Sequence, residues 1–162
     1  MALLKGYCNI GIVARFDHFS RYSNIHIRAS TALKIVILVD SDCVHDRLTG
    51  RSLTGIIVFV GSTPVSWSTK RQRAVATSTY QAEFAALKSA TEQAINIRYY
   101  LHCLGVYIPN DGSSPTQVLA DNFSVIQRAS NPQHNLSKKH IALSFHFVHE
   151  AIAAGIIEPY SS

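Results

Sequence analysis

The chain has 162 residues, enough for one domain with a sizeable single core. Hydrophobic residues make up 47% and charged residues 15%, a balance that excludes an intrinsically disordered chain. The formal net charge of +5 suits a polyanionic partner, nucleic acid first and an anionic membrane surface second.

Residues 1–30 read as an irregular lead-in with at most one or two strands, such as Ile10–Phe16, before a polar run rich in His and Arg. Leu33–Val39 is dense in β-branched residues and predicts a buried strand. A turn follows over 46–53, punctuated by Thr49-Gly50. Gly55–Gly61 predicts a second strand, and Val65–Ser68, alternating apolar and polar, a third. The short Ser62-Thr-Pro64 link between them implies an antiparallel hairpin. Ser78 with Gln81 three residues later is a capping-box pattern that opens a long helix. Leu87, Ala90, Ala94, Ile97, Leu101 and Leu104 form its apolar face, and Gly105 and Pro109 stop it. Gln117–Ala120 predicts a fourth strand, Asn122–Ala129 a short helix, and Ser137–Ala154 a last helix ended by Gly155. This order predicts an α/β fold, a mixed sheet with helices packed on it.

Cys8, Cys43 and Cys103 are widely spaced with no C-x-x-C. That argues against a disulfide framework or a cysteine zinc site and fits a reducing compartment. The start, Met1–Gly6, lacks the layout of a secretory signal, and no apolar run reaches the ~18 residues of a bilayer span.

The apolar run Ile35–Leu38 leads into Val-Asp-Ser-Asp-Cys-Val-His-Asp, with Asp40, Asp42 and Asp46 within seven positions. Glu83 falls in the first turns of the long helix, and Asp121 directly follows the fourth strand. If strands one and four are parallel neighbours, the helix between them supplies the crossover and all three acids converge at one sheet edge. Carboxylates that close repel, and a divalent cation stabilises them. All-oxygen ligation favours Mg²⁺ or Mn²⁺ over zinc. A pair of such ions about 3.5–4 Å apart supports hydrolysis of a phosphodiester. The bland alternative is surface carboxylates at strand ends and helix starts.

Further along the chain, Val39-Asp-Ser-Asp-Cys43, Arg51–Gly55, Val58–Gly61, Val65–Ser68 and Lys70-Arg-Gln72 resemble the ribonuclease H region of copia-type retrotransposon Pol polyproteins. That family runs "SDADWAG…RRSTSGY.VFLG…ISW.SKKQ". Ser78–Phe84 resembles its "SSAEAEY", Val118–Ile126 its "L.CDNQSAI", and Asn131-Pro132, Lys138–Ile141 and Phe145–Glu150 its "NP…TKHI…YHF.RE". The match runs in order over roughly residues 33–158. Leu3–Gly6 and Gly11-Ile12 resemble the preceding "YLKGT…LGI", so 1–30 is expected to be the end of the reverse-transcriptase connection and 31–162 the ribonuclease H-like domain.

The resemblance implies a mixed sheet with its first three strands antiparallel and its fourth parallel to the first, flanked by helices. It implies Mg²⁺-dependent cleavage of RNA in RNA–DNA hybrids during reverse transcription, with two ions expected and Mn²⁺ as a substitute. Asp40, Glu83 and Asp121 correspond to the family's catalytic, metal-binding acids; Asp42, Asn122 and Ser78 are accessory candidates. Lys70, Arg71, Arg73, Lys138 and Lys139 are candidate nucleic-acid contacts, with solvated turns as the alternative. Expected partners are the hybrid and the reverse-transcriptase portion of the same polyprotein, without a membrane, in the cytoplasm, a virus-like particle or the nucleus.

The pattern breaks in places. The family's fourth carboxylate lies in "ADIFTK", after a fifth strand, whereas this sequence reads Pro159-Tyr-Ser-Ser162. The last strand and helix are therefore expected to be missing, and the chain to be C-terminally truncated. The alternative function is a catalytically weak or inactive module that only binds nucleic acid. An integrase-like strand transferase is disfavoured, since its helix acid would come last in the chain. Trp67 is expected in the core rather than free to stack on a base. His146 and His149, beside Glu150, lack a third ligand at zinc spacing.

Overall fold

Alternation along the first strand sets the architecture. Ile35, Ile37 and Val39 are buried, while Val36, Leu38 and Asp40 are half-buried, so one face of the strand forms the core. The computed structural model describes residues 33–46, 48–109, 113–121 and 139–161. The expected lead-in over 1–30, the short helix over 122–129, Asn122 and Lys138 lie outside them, and Lys139 is described only by its backbone.

The elements run β1 (Ile35–Asp46), β2 (Arg51–Val60), β3 (Thr63–Arg71), α1 (Thr79–Cys103), β4 (Thr116–Ala120), α2 (Lys139–Ala153) and β5 (Ile157–Ser161). The strands form one five-stranded sheet in the order β3-β2-β1-β4-β5. β1, β2 and β3 pair antiparallel, β4 runs parallel to β1, and β5 runs parallel to β4. The crossover from β3 through α1 to β4 is what a parallel β1–β4 pair demands. The expected mixed α/β sheet is therefore present.

Both described helices contribute to one core with the buried row of the sheet. Phe84, Leu87, Ala90 and Ala94 of α1 and Phe145, Val148 and Ala151 of α2 join Ile37, Val58, Val118 and Ile157. The small alanines let α1 lie close to the strands. Tyr80, Phe84 and Phe145 form a stacked aromatic run, with centroids 6.0 and 6.1 Å apart, that ties α1 to α2. At the far end of α1, the Arg98 guanidinium donates to the Pro109 and Ser114 carbonyl oxygens at 2.7 and 2.8 Å. These bonds hold the connection into β4, and burial draws the Arg98 pKa below its ordinary value. Among the described residues no helix is long and apolar enough to cross a membrane.

Five expectations need correction. First, β1 does not end at Val39. Its pairing with β2 continues through Asp42↔Leu53 and, after an irregularity, Asp46↔Arg51, because β2 lies opposite and completes the antiparallel ladder.

Second, the last strand is not missing: Ile157–Ser161 pairs with β4 from Thr116↔Ile157 to Ala120↔Ser161. Gly155, at φ 66°, ends α2. The Gly155 and Ile156 amides donate to the Ile152 and Ala151 carbonyls, a Schellman turn that swings the chain back to the sheet. The Ile156 carbonyl then accepts from the Thr116 amide at 2.9 Å. Pro159 hides this strand from sequence reading, and an edge strand tolerates it.

Third, Trp67 is 61% exposed rather than core. Every residue of β3 is exposed, because α1 packs over β1 and β2 and leaves this edge strand uncovered. Fourth, the β2–β3 turn is Gly61-Ser62, with Gly61 at φ 62°, so Pro64 already lies in the strand. Fifth, Leu104, expected on the helix face, falls just past the end of α1 and is exposed.

Leu87 is fully buried, whereas Tyr99 on the same helix is largely exposed. Leu87→Ala is expected to destabilise the fold by about 2–5 kcal/mol, and Tyr99→Ala by no more than about 0.5 kcal/mol. Urea denaturation of both variants checks the assignment of the core face.

Candidate metal centre

β1 and β4 are in register from Val36↔Gln117 to Val39↔Ala120. The next residue on each strand is an aspartate, Asp40 and Asp121, where the parallel ladder stops. Adjacent strands lie about 4.8 Å apart, so two carboxylates at this point are neighbours by construction. Asp40 is half-buried and Asp121 exposed.

The third carboxylate comes from α1. Ser78 caps this helix in extended conformation, its Oγ accepting from the Gln81 amide at 3.2 Å. The Gln81 Oε1 reaches back one residue further than a capping box would. It accepts from the Thr77 amide at 2.9 Å and the Thr77 hydroxyl at 2.8 Å. With its start fixed, the helix presents Glu83 in its second turn, only 8% exposed. One carboxylate oxygen from each of Asp40, Glu83 and Asp121 lies within 4.8 Å of the other two.

Three carboxylates at that spacing raise one another's energy when ionised. Burial of Glu83 adds to the cost. A divalent cation lowers it, and a donor set of carboxylate oxygens fits a hard ion such as Mg²⁺ or Mn²⁺. The residues therefore suit the expected metal.

Asp42 lies outside this trio. It is exposed, two residues beyond Asp40 on the same row of β1, opposite Leu53. Ser78 has a cap to make and sits one turn before Glu83. His146 and His149 join no three-residue ligand cluster among the described residues, and the His149 ring stacks on Phe145 instead.

Lys70 and Arg71 end β3, and Arg73 follows; all three are exposed. With Tyr80, Phe84 and Lys88 of α1 they line a cleft of about 580 Å³ between the sheet and the helix. Sequence reading missed the residue among them that points inward. Gln72 is half-buried, and its Nε2 donates to Thr54 Oγ1 and to the Ala82 carbonyl, each at 2.9 Å. Its signals in the sequence were an uncharged amide inside a basic run and its place in the Lys70-Arg-Gln72 match.

No family model matches the chain. Over 133 residues, 82% of its length, it is 29% identical to the retrovirus-related Pol polyprotein from transposon RE2 of Arabidopsis thaliana. It spans 9% of that polyprotein. Its fold is similar to the N-terminal RNase H domain of a Mycobacterium tuberculosis protein, solved as a fusion with maltose-binding protein. The TM-score is 0.55 at 17% identity, covering 80% of this chain and 86% of that one. It is also similar to LC11-RNase H1, solved in complex with an RNA/DNA hybrid, with a TM-score of 0.52 at 13% identity over 79% of this chain and 86% of that one. Fold and sequence lead to the same place: the chain has a ribonuclease H-like fold, and its sequence is similar to part of the retrovirus-related Pol polyproteins of transposons.

Proposed function

We propose that the chain is a metal-dependent ribonuclease H that hydrolyses the RNA strand of an RNA–DNA hybrid during retrotransposon reverse transcription. The observation that carries this reading is the convergence of Asp40, Glu83 and Asp121, with carboxylate oxygens within 4.8 Å of one another. The hybrid bound by LC11-RNase H1 and the Pol context of the sequence relatives support the choice of substrate. The same context makes the reverse-transcriptase portion of such a polyprotein the expected partner, inside the cell.

Asp40, Glu83 and Asp121 would hold Mg²⁺. When bound, the metal supplies an activated water and stabilises charge on the leaving oxygen. The protein's own contribution is placement. β1 and β4 fix two of the carboxylates on the sheet, and the capped start of α1 delivers the third from above it. Asp42 and Ser78, close in the chain to Asp40 and Glu83, would be accessory groups. Lys70, Arg71 and Arg73 offer positive charge along the cleft beside α1, where backbone phosphates of the hybrid would be neutralised. Asn122, Lys138 and Lys139 extend the same roles on sequence grounds. Selection of RNA over DNA rests on the 2′-hydroxyl.

Asp40→Asn is expected to cut cleavage of a labelled hybrid in Mg²⁺ by more than about a hundredfold, beyond the usual loss from an outer-shell change. Chelation of divalent ions should abolish cleavage. The same substitution removes one of three mutually repelling charges, so without metal it should leave the melting temperature unchanged or raise it. Saturating Mg²⁺ should stabilise the wild type by up to about 2.7 kcal/mol at a hundred times Kd and the variant much less. Hybrid cleavage that survives Glu83→Gln would overturn the assignment.

Neutralising Lys70, Arg71 or Arg73 singly should weaken hybrid binding at all sequences alike. For every phosphate that a variant no longer neutralises, the slope of log K against log salt should fall by about 0.7–0.9. Fluorescence anisotropy across a salt series reads this directly, and an unchanged slope in all three variants would remove the cleft from the binding surface.

A further inference from the structure

Gln72 is the one residue of the Lys70–Arg73 run that is not fully exposed. Its backbone amide donates to the Ser52 carbonyl at 2.8 Å, carrying the β2–β3 ladder one residue past the end of β3. That bond anchors the residue to the sheet. Its side-chain nitrogen then makes two donations, to Thr54 Oγ1 on β2 and to the Ala82 carbonyl on α1, both at 2.9 Å.

Both ends of this bridge adjoin the carboxylate trio. Ala82 is fully buried and immediately precedes Glu83. Thr54 is buried and pairs across the ladder with Ser41, the residue between Asp40 and Asp42. A backbone carbonyl has two lone pairs, so the Ala82 oxygen can accept from Gln72 without giving up its helical role. The amide of Gln72 therefore joins the peptide next to Glu83 to the strand that pairs with the Asp40 segment. The bridge fixes how far α1 is advanced and rotated over the sheet. A metal centre shared between a sheet and a helix needs that, because ligands must be held to about 0.5 Å.

We propose that Gln72 is a positioning residue for the metal centre, a clamp that sets Glu83 against Asp40 and Asp121. The proposal rests on the metal-binding reading above. It predicts a loss of ion affinity from a residue that touches no ion. Partners that orient ligands from outside the coordination shell are typically worth about 10–100-fold in metal affinity.

The test uses the whole chain and Mn²⁺ alone as the probe, titrated by electron paramagnetic resonance. Hydrogen exchange over residues 79–86 and melting in chelator are measured in parallel. Gln72→Leu keeps the volume and removes both donors. Gln72→Glu keeps the shape but, ionised, has no proton to give the Ala82 carbonyl. Both are expected to weaken Mn²⁺ binding by at least about tenfold and to speed exchange over 79–86. Thr54→Val, which breaks only the strand end of the bridge, should give a smaller loss in the same direction, and it serves if the Gln72 variants do not fold. Folded Gln72→Leu that binds Mn²⁺ within about twofold of wild type would overturn the clamp. Wild type that binds no Mn²⁺ would instead overturn the metal reading. Hydrogen exchange then decides the clamp alone, with unchanged uptake over 79–86 in Gln72→Leu refuting it.

Discussion

The parallel pairing of β1 with β4 is the constraint on which the rest of the molecule depends. It forces a crossover, and the crossover is α1. It also stops at Val39↔Ala120, so the next residue on each strand is released from the ladder at the same height. In this chain both of those residues are aspartates. The sheet therefore creates a place where two acids must meet, and the obligatory helix brings the third. Site and topology are consequences of one pairing.

This arrangement works against the fold's own stability. Two like charges about 4 Å apart repel by roughly 1–4 kcal/mol, depending on how well water screens them. Glu83 is also buried, on a helix face made mostly of apolar residues. The strands and the cap at Ser78 hold the acids together despite this, which is in keeping with the proposed metal centre.

Much of this was legible in the residues. The β-branched run at Ile35–Val39, the Ser78 cap, the three-and-four spacing along α1 and the stops at Gly105 and Gly155 located most elements to within a few residues. The positions of Asp40, Glu83 and Asp121 relative to those elements were enough to foresee their convergence. What escaped was set by partners distant in sequence. β1 extends through its acidic end because β2 lies opposite, and no local pattern announces that. β5 contains a proline and no alternation, so only its pairing with β4 makes it a strand. Trp67 looks like core by residue type, yet it lies on a strand that no described helix covers. Gln72 escaped for a related reason: its value lies in two acceptors, 18 and 10 residues away, that are adjacent only in the folded chain.

The two outer strands each carry a proline, Pro64 in β3 and Pro159 in β5, and β3 is kinked further by the irregularity opposite Val58 and Phe59. A proline has no amide proton to offer an incoming strand, and a local kink spoils the flat template that such a strand would need. Lys70 and Arg71 add charge at the end of β3. Both outer strands of the described sheet are thus guarded. Copies of this domain brought close together would find, among the described residues, no proline-free outer strand along which to zip into a continuous β-ribbon.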